Sequence, residues 1–333
     1  MQSVSRVALG LVGLLATAGL VAGCGKAGSS GTQAPASNAA SGGCAPVAGT
    51  KLVVLDDDKH LQNADNVIAA VNSKAATSEL IAALDKVATT LDPQKLIALN
   101  KATDIDHKTS AVAAQEFAQT NNLTSGLAKG AGGPIVVGAA NFSESQTLAE
   151  LYKIVLSAAG YAVTTQTIGD RELYEPSLEK GEIQVVPEYA ATLAEFLNGK
   201  QNGKSASPVA SSDVDKTVAA LKTLGTKAGL SFGAPASATD ENAFAVTKAF
   251  ADKYGVTSLS DFATKCSGKD SILGGPAECP KRPFCQQGRE GTYKITFGQF
   301  KSLDAGGPLT KQALTGGQIS LGLVFSSDAA LAT

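Results

Sequence analysis

Residues 133–192 read GPIVVGAANFSESQTLAELYKIVLSAAGYAVTTQTIGDRELYEPSLEKGEIQVVPEYAAT. A buried strand comes first. A helix follows, with Ser143 expected as N-cap and Gln146 completing a capping box. Leu148, Leu151, Tyr152, Val155 and Ala159 lie at helical spacing on its inward face, and Gly160 is its stop. A second strand, a short helix beginning near Pro176 and ending at Gly181, and a third strand ending at Pro187-Glu188-Tyr189 complete the stretch. Such alternation predicts a parallel sheet with right-handed crossovers. Ligands of these sheets lie beyond the carboxyl ends of the strands, where two loops are expected, 139–143 and 188–192.

Toward the C-terminus, residues 202–213 are polar and loop-like. A helix over 214–228 then leads to a strand over 230–233. Residues 234–241 read as a crossing between lobes, and 242–247 as another strand. The cycle repeats with a helix at 258–265, strands at 271–274 and 295–300, a helix at 309–314 and a strand at 319–325. Toward the N-terminus, 125–133 (SGLAKGAGG) is a linker. Before it come short apolar strands at 51–55 and 67–71 and three helical patterns. The first carries Leu80, Ile81, Leu84, Val87 and Leu91; the second starts at Asp92-Pro93; the third turns Val112, Ala113 and Phe117 inward. The two N-terminal strands need a sheet elsewhere.

The chain has 333 residues, which suits about two domains. A formal net charge of −2 argues against a nucleic-acid partner, which requires a basic face. Arg6 precedes an apolar run from Val7 to Val21, ending in small residues before Cys24. This is the pattern of a secretory signal, and Cys24 directly after Ala-Gly resembles a bacterial lipobox, with Val21 a departure from its usual Leu. The expectation is a signal peptide over 1–23, lipid attachment at Cys24 and a flexible Gly/Ser/Ala tether over 24–50. No later stretch reaches the ~18 apolar residues of a membrane span. The chain is therefore expected at the outer face of the bacterial cytoplasmic membrane, held by its lipid. In that oxidising compartment Cys44, Cys266, Cys279 and Cys285 are disulfide candidates. Four cysteines allow three pairings; Cys279 and Cys285 can close a small loop, which leaves Cys44 for Cys266. No Cys/His spacing suits zinc, and Asp56-Asp57-Asp58 lacks the alternation of a calcium loop, so no metal or cofactor is expected.

The motifs Val137-Gly138-Ala139-Ala140-Asn141-Phe142-Ser143-Glu144, Gly181-Glu182-Ile183 and Pro187-Glu188-Tyr189-Ala190-Ala191-Thr192 resemble the substrate-binding proteins of osmoprotectant ABC importers, the glycine betaine/carnitine/choline family. Asn242-Ala243-Phe244-Ala245-Val246 and Val324-Phe325-Ser326-Ser327-Asp328 extend the likeness. The resemblance implies an α/β, two-lobed, type II periplasmic-binding-protein-like fold with two mainly parallel sheets joined by a two-crossing hinge. Residues 52–123 resemble the end of that family rather than its beginning, which implies a circular permutation. On this reading 51–58 is the edge strand of lobe two and 59–123 the displaced C-terminal part of lobe one. Residues 124–133 are then a linker, 134–234 the N-terminal part of lobe one, and 235–333 lobe two. The new opening falls between Thr333 and about Lys51, and the hinge crossings at 57–64 and 234–241. A separate N-terminal domain is the competing arrangement.

The family holds a quaternary ammonium in a box of aromatic rings by cation–π attraction. Carried over by position, the ligand-binding residues are Tyr189, Phe244 and Phe325, with Thr192 closing the Tyr189 motif. The fourth ring position falls on Asp65, a carboxylate that would face a cation by charge, and Ala140 replaces a polar family position. Three rings at ~0.5–2 kcal/mol each fall short of the roughly 8 kcal/mol of micromolar binding. Arg282 occupies the family's carboxylate-binding position, and the helix start near Ser143 adds a positive end. Taken alone, Phe244 and Phe325 read as core residues, Arg282 as a surface charge and Asp65 as a cap. The expected partners are a small zwitterionic or cationic osmolyte, an ABC permease with its ATPase, and the membrane through the lipid; the chain is expected to be a monomer. No Ser/His/Asp or Cys/His set supports an enzyme. An amino-acid or polyamine binder, and a sensing lipoprotein without a transport role, are the alternatives.

Overall fold

The computed structural model describes residues 42–63, 65–203 and 205–331. The expected signal segment, Cys24, the tether as far as residue 41, Ala64 at the end of the first crossing, and Thr333 lie outside the described residues.

Strands β1 (Leu52–Val54) and β2 (Val67–Asn72) come first. Helices α1 (Ser78–Thr90), α2 (Pro93–Asp104) and α3 (Ser110–Thr120) follow, then β3 (Pro134–Ala140), α4 (Ser143–Ala158) and β4 (Ala162–Gly169). Next are α5 (Arg171–Lys180), β5 (Val185–Tyr189), α6 (Ala190–Asn202), α7 (Val214–Lys227) and β6 (Leu230–Phe232). The rest is β7 (Asn242–Thr247), α8 (Lys248–Tyr254), α9 (Leu259–Cys266), β8 (Gly268–Gly275), a one-turn α10 (Gln286–Gly288), β9 (Phe297–Ser302), α11 (Pro308–Thr315) and β10 (Leu321–Phe325).

These strands form two five-stranded sheets, ordered β4-β3-β5-β2-β6 in lobe one and β1-β7-β10-β8-β9 in lobe two. In lobe one, β3 is parallel to β4 and β5, while β2 runs antiparallel to both β5 and β6. In lobe two, β10 and β8 and then β8 and β9 are parallel, and β7 runs antiparallel to β1 and β10. The two early strands thus find their sheets in different lobes. The chain crosses between lobes from β1 to β2 and again from β6 to β7.

Every residue of β2 and β5 is buried, as expected of strands covered by helices on both faces. The period-two geometry of a strand divides β2 between two cores. Val67, Ala69 and Val71 pack with α1 to α4, whereas Ile68 and Ala70 pack with α5 to α7. Phe244 and Val246 of β7 pack in the core that includes α9, while Ala245 packs with Leu314 and Val324. No described helix is long and apolar enough to cross a membrane.

Several local expectations change. The N-cap of α4 is Phe142, in extended backbone, and Ser143 makes no capping box. The hydroxyl of Ser145 instead accepts the Ala140 N–H at 2.9 Å, and the Thr147 hydroxyl donates to the Ser143 carbonyl. Helix α5 starts at Arg171, five residues ahead of Pro176, which sits inside it. It ends where expected, with Gly181 at φ 78°, a backbone shape that favours glycine. The expected loop at 188–192 is absent, because β5 runs directly into α6. Val112 points outward, and Ala113, Ala114 and Ala118 form the buried face of α3, with Phe117 packed beside them. The last residues of the expected tether are pinned to lobe two. Cys44 is buried and disulfide-bonded to Cys266, the Val47 carbonyl accepts from the Thr247 hydroxyl, and the Gly49 N–H donates to the Thr315 carbonyl. The second disulfide joins Cys279 and Cys285.

Candidate functional site

Strand β5 delivers Tyr189, and β3 ends just before Phe142; both belong to lobe one. Strand β10 of lobe two ends on Phe325. The Phe142 ring lies 6.3 Å from that of Tyr189 and 5.8 Å from that of Phe325, stacked with both. Two of the three expected rings therefore meet at the lobe boundary, with Phe142 between them. Phe142 lies inside one of the motifs, but nothing in its spacing marked its ring as a partner of Phe325. Phe244 is not part of this group: it is buried in the lobe-two core, with the Arg289 guanidinium 3.8 Å from its ring centroid.

Beneath the rings lies a buried polar cluster. The Tyr189 hydroxyl donates to Glu144 Oε1 at 2.5 Å, and Asn100 Nδ2 donates to Glu144 Oε2. Ser327 Oγ lies 2.7 Å from Glu144 Oε2 and 2.6 Å from Asp240 Oδ1. Asn100 Nδ2 also donates to Ser327 Oγ, at 3.1 Å. A hydroxyl has one hydrogen and cannot donate to both carboxyls. One of the two must therefore carry a proton and donate to Oγ for both contacts to be hydrogen bonds. The electrostatics agree. Burial raises the pKa of Glu144, and burial together with the Glu144 charge raises that of Asp240 well above the ordinary value. Glu144 belongs to α4 and Ser327 follows β10, so this hydrogen-bonded cluster bridges the lobes.

Asp65 turns inward. Its Oδ1 accepts from the backbone N–H of Ala191 at 2.8 Å and of Thr192 at 3.1 Å, which caps α6 across the chain. Burial raises its pKa to about 7, opposed by those N–H groups and by Arg171. At least one of its oxygens is thus committed to a helix rather than to a solute. The Thr192 hydroxyl is also engaged, accepting from Arg171 Nη2 at 2.8 Å. Arg171 grips Glu188 through two bonds of 2.8 and 2.7 Å, and the Tyr174 hydroxyl donates to the same carboxylate.

Arg282 does not stand free. Its Nε and Nη2 donate to the two carboxylate oxygens of Glu172 at 3.3 and 2.7 Å, and Glu278 lies 3.5 Å away. Burial would raise the Glu172 pKa, but the hydrogen bond and charge of Arg282 outweigh it and the net shift is downward. Glu172 belongs to α5 of lobe one and Arg282 to the disulfide loop of lobe two, so this pair also joins the lobes. Being partly exposed, it is worth ~0–1 kcal/mol and can part at small cost. Among the described residues no group of three or more His, Cys, Asp or Glu side chains is arranged to hold a metal.

Two α/β sheets joined by two crossings, with rings and polar groups meeting where the lobes touch, define a two-lobed solute-binding protein of the type II periplasmic-binding fold. The family described as OpuAC, the substrate-binding domain of the ABC-type glycine betaine transport system, matches residues 45–120 and 133–333. The chain belongs to that family and is an ABC-type substrate-binding protein for glycine betaine-like ligands. Comparison with individually curated proteins gives no match.

Proposed function

We propose that this protein closes its two lobes on a quaternary-ammonium osmolyte and hands it to an ABC permease and its ATPase. The observation that carries the reading is the stacking of Phe142 and Tyr189 of lobe one with Phe325 of lobe two. Rings from both sides of a closing boundary suit a cation lacking N–H donors, which is drawn to aromatic faces rather than to hydrogen-bond acceptors. The buried carboxyls Glu144 and Asp240 behind the rings add negative potential. They also favour a second reading, an amine with N–H donors, because such a cation can bond to carboxyl oxygens. Catalysis has no part in either reading. Attachment to the membrane through Cys24, a monomeric state, and a role in import rather than sensing belong to the same proposal.

A thermal-shift panel of glycine betaine, proline betaine, carnitine, choline, amino acids and polyamines tests it. A ligand that binds only the folded state raises Tm by mass action, adding about 2.7 kcal/mol at a hundredfold excess over Kd. Tyr189→Ala and Phe142→Ala are each expected to weaken binding roughly 2- to 30-fold, the equivalent of ~0.5–2 kcal/mol per ring. Silence from every quaternary amine would sink the osmoprotectant reading. Unchanged affinity in both ring variants would sink the site.

We also propose that the chain is a circular permutant of the usual family order. Support comes from β1 lying at the edge of the lobe-two sheet and β2 between β5 and β6 of lobe one, and from the family match falling in two segments. A variant re-joined to begin at residue 134, run to 331, and continue through 42–123 is expected to fold with a similar Tm and ligand response. Failure of that variant to fold, tried with several linker lengths, would count against the permutation.

A further inference from the structure

Arg289 is among the largest fully buried side chains of the described residues, at 0% exposure. Its guanidinium carbon lies 3.8 Å from the Phe244 ring centroid, and its Nε and Nη1 have no hydrogen-bond partner among the described residues. The remaining nitrogen, Nη2, makes only a 3.5 Å contact to the Phe284 carbonyl. Burial pushes its pKa down to about 10, with the Asp57 charge opposing the fall. A buried cation without a bonded anion is costly, and the cost is relieved when a carboxylate meets its planar fork. Arg289 also lines a cavity of about 500 Å³ together with Leu55, Asp57, Glu241, Phe244 and Ser326. That volume lies within the roughly 300–1,000 Å³ of small-molecule sites. The lining comes from lobe two and the two crossings, and includes none of Phe142, Tyr189 or Phe325.

We propose that this cavity is a second binding site, for a small carboxylate-bearing zwitterion whose carboxylate pairs with Arg289. The acidic groups in the wall suit the other end of such a molecule. Both oxygens of Asp57 are already engaged, Oδ1 by the Tyr293 hydroxyl and Oδ2 by the Gln62 N–H. Glu241 is shifted toward its neutral form by burial and by the Asp57 charge. Asp56 and Asp57 keep the wall negative, which attracts an ammonium and leaves Arg289 as the place where a carboxylate is matched. A simple anion gains only half of this match, and a cation without a carboxylate leaves Arg289 unpaired.

The test is calorimetric titration of the full chain with glycine betaine and individual L-amino acids. Choline and amino-acid amides serve as the carboxylate-free counterparts. Wild type, Tyr189→Ala, Arg289→Met and Arg289→Lys are compared. At least one carboxylated compound is expected to bind with an affinity that survives Tyr189→Ala. The same binding should fall at least tenfold in Arg289→Met and by less in Arg289→Lys, which keeps the charge without the fork. The amides and choline should not use this site. Arg289→Met removes an unpaired buried charge, so its ligand-free Tm is expected to stay level or rise, which separates lost binding from lost folding. Arg289→Lys supplies the same comparison if the Met variant does not fold. The proposal is overturned if no carboxylated compound binds independently of Tyr189, or if such binding is indifferent to both Arg289 substitutions. Loss of all binding in Tyr189→Ala alone leaves the ring site standing and removes this one.

Discussion

Arg171→Met is expected to lower folding stability by about 3–5 kcal/mol, the effect of removing one partner of a buried ion pair. Glu188 is almost fully buried at the end of β5, and four donors converge on it: Arg171 Nε and Nη2, the Tyr174 hydroxyl and the Tyr189 backbone N–H. Without Arg171, the carboxylate keeps its desolvation cost and loses two charge-assisted bonds. The Thr192 hydroxyl loses its donor as well. Domains of comparable size shift Tm by a few degrees per kcal/mol, so a fall on the order of 10 °C is expected. The double variant Arg171→Met/Glu188→Leu should recover much of the loss, since a buried pair replaced by apolar groups is often neutral. Urea midpoints of the two variants check this. A single variant within about 1 kcal/mol of wild type would show that the pair matters little.

The second large effect is a dependence of stability on pH through the Glu144–Ser327–Asp240 bridge. Both carboxyls have pKa values raised by burial from ordinary values of 4.5 and 3.8. Asp104 adds to the rise at Glu144, and the Glu144 and Asp65 charges add to it at Asp240. Above the unfolded values the folded chain therefore binds more protons than the unfolded chain. The contribution of the pair is fully present below about pH 4 and is lost as pH rises through the folded values. Asp65, raised to about 7, acts in the same direction between 3.8 and about 7. Asp261, lowered to about 2 by its bonds to Lys265 and Thr257, works the opposite way, but only below about pH 4. Tm is thus expected to decline from pH 5 toward pH 9. Asp240→Asn, which keeps the geometry without a titrating proton, should flatten the slope. A wild-type Tm that climbs over this range, or an Asn variant with an unchanged slope, would refute the shared proton. The ring cluster rests on the same bridge through Tyr189, so ligand affinity should follow the same variant.

Much of the architecture was legible in the sequence, because it rests on burial patterns a few residues long. Strand β2 reads as an apolar run because both of its faces are covered. Asp92-Pro93 starts α2 as expected because a cap and a fixed φ act within one turn. Gly181 stops α5 because the backbone there is left-handed. The aromatic positions Tyr189 and Phe325 come from the family resemblance, since burial patterns alone would place Phe325 in the core. The expectation for α4 failed locally: its start at Phe142 has no side-chain cap, and the Ser145 hydroxyl accepts instead from the Ala140 N–H at the end of β3.

What the sequence did not contain is which side chains meet across the lobes. Arg282 is placed correctly on its disulfide loop, yet its partner is Glu172, 110 residues away. Asp65 reads alone as a cap and by position as a residue facing a cation; its Oδ1 caps α6, more than a hundred residues along the chain, a partner its own neighbourhood does not name. Phe142 meets Phe325, and Ser327 comes between Glu144 and Asp240, only because two sheets from distant parts of the chain touch at one boundary. Periodicity records how each residue faces its own core. The partners of a residue at a lobe boundary are set by the packing of those cores against each other, and only the tertiary structure decides them.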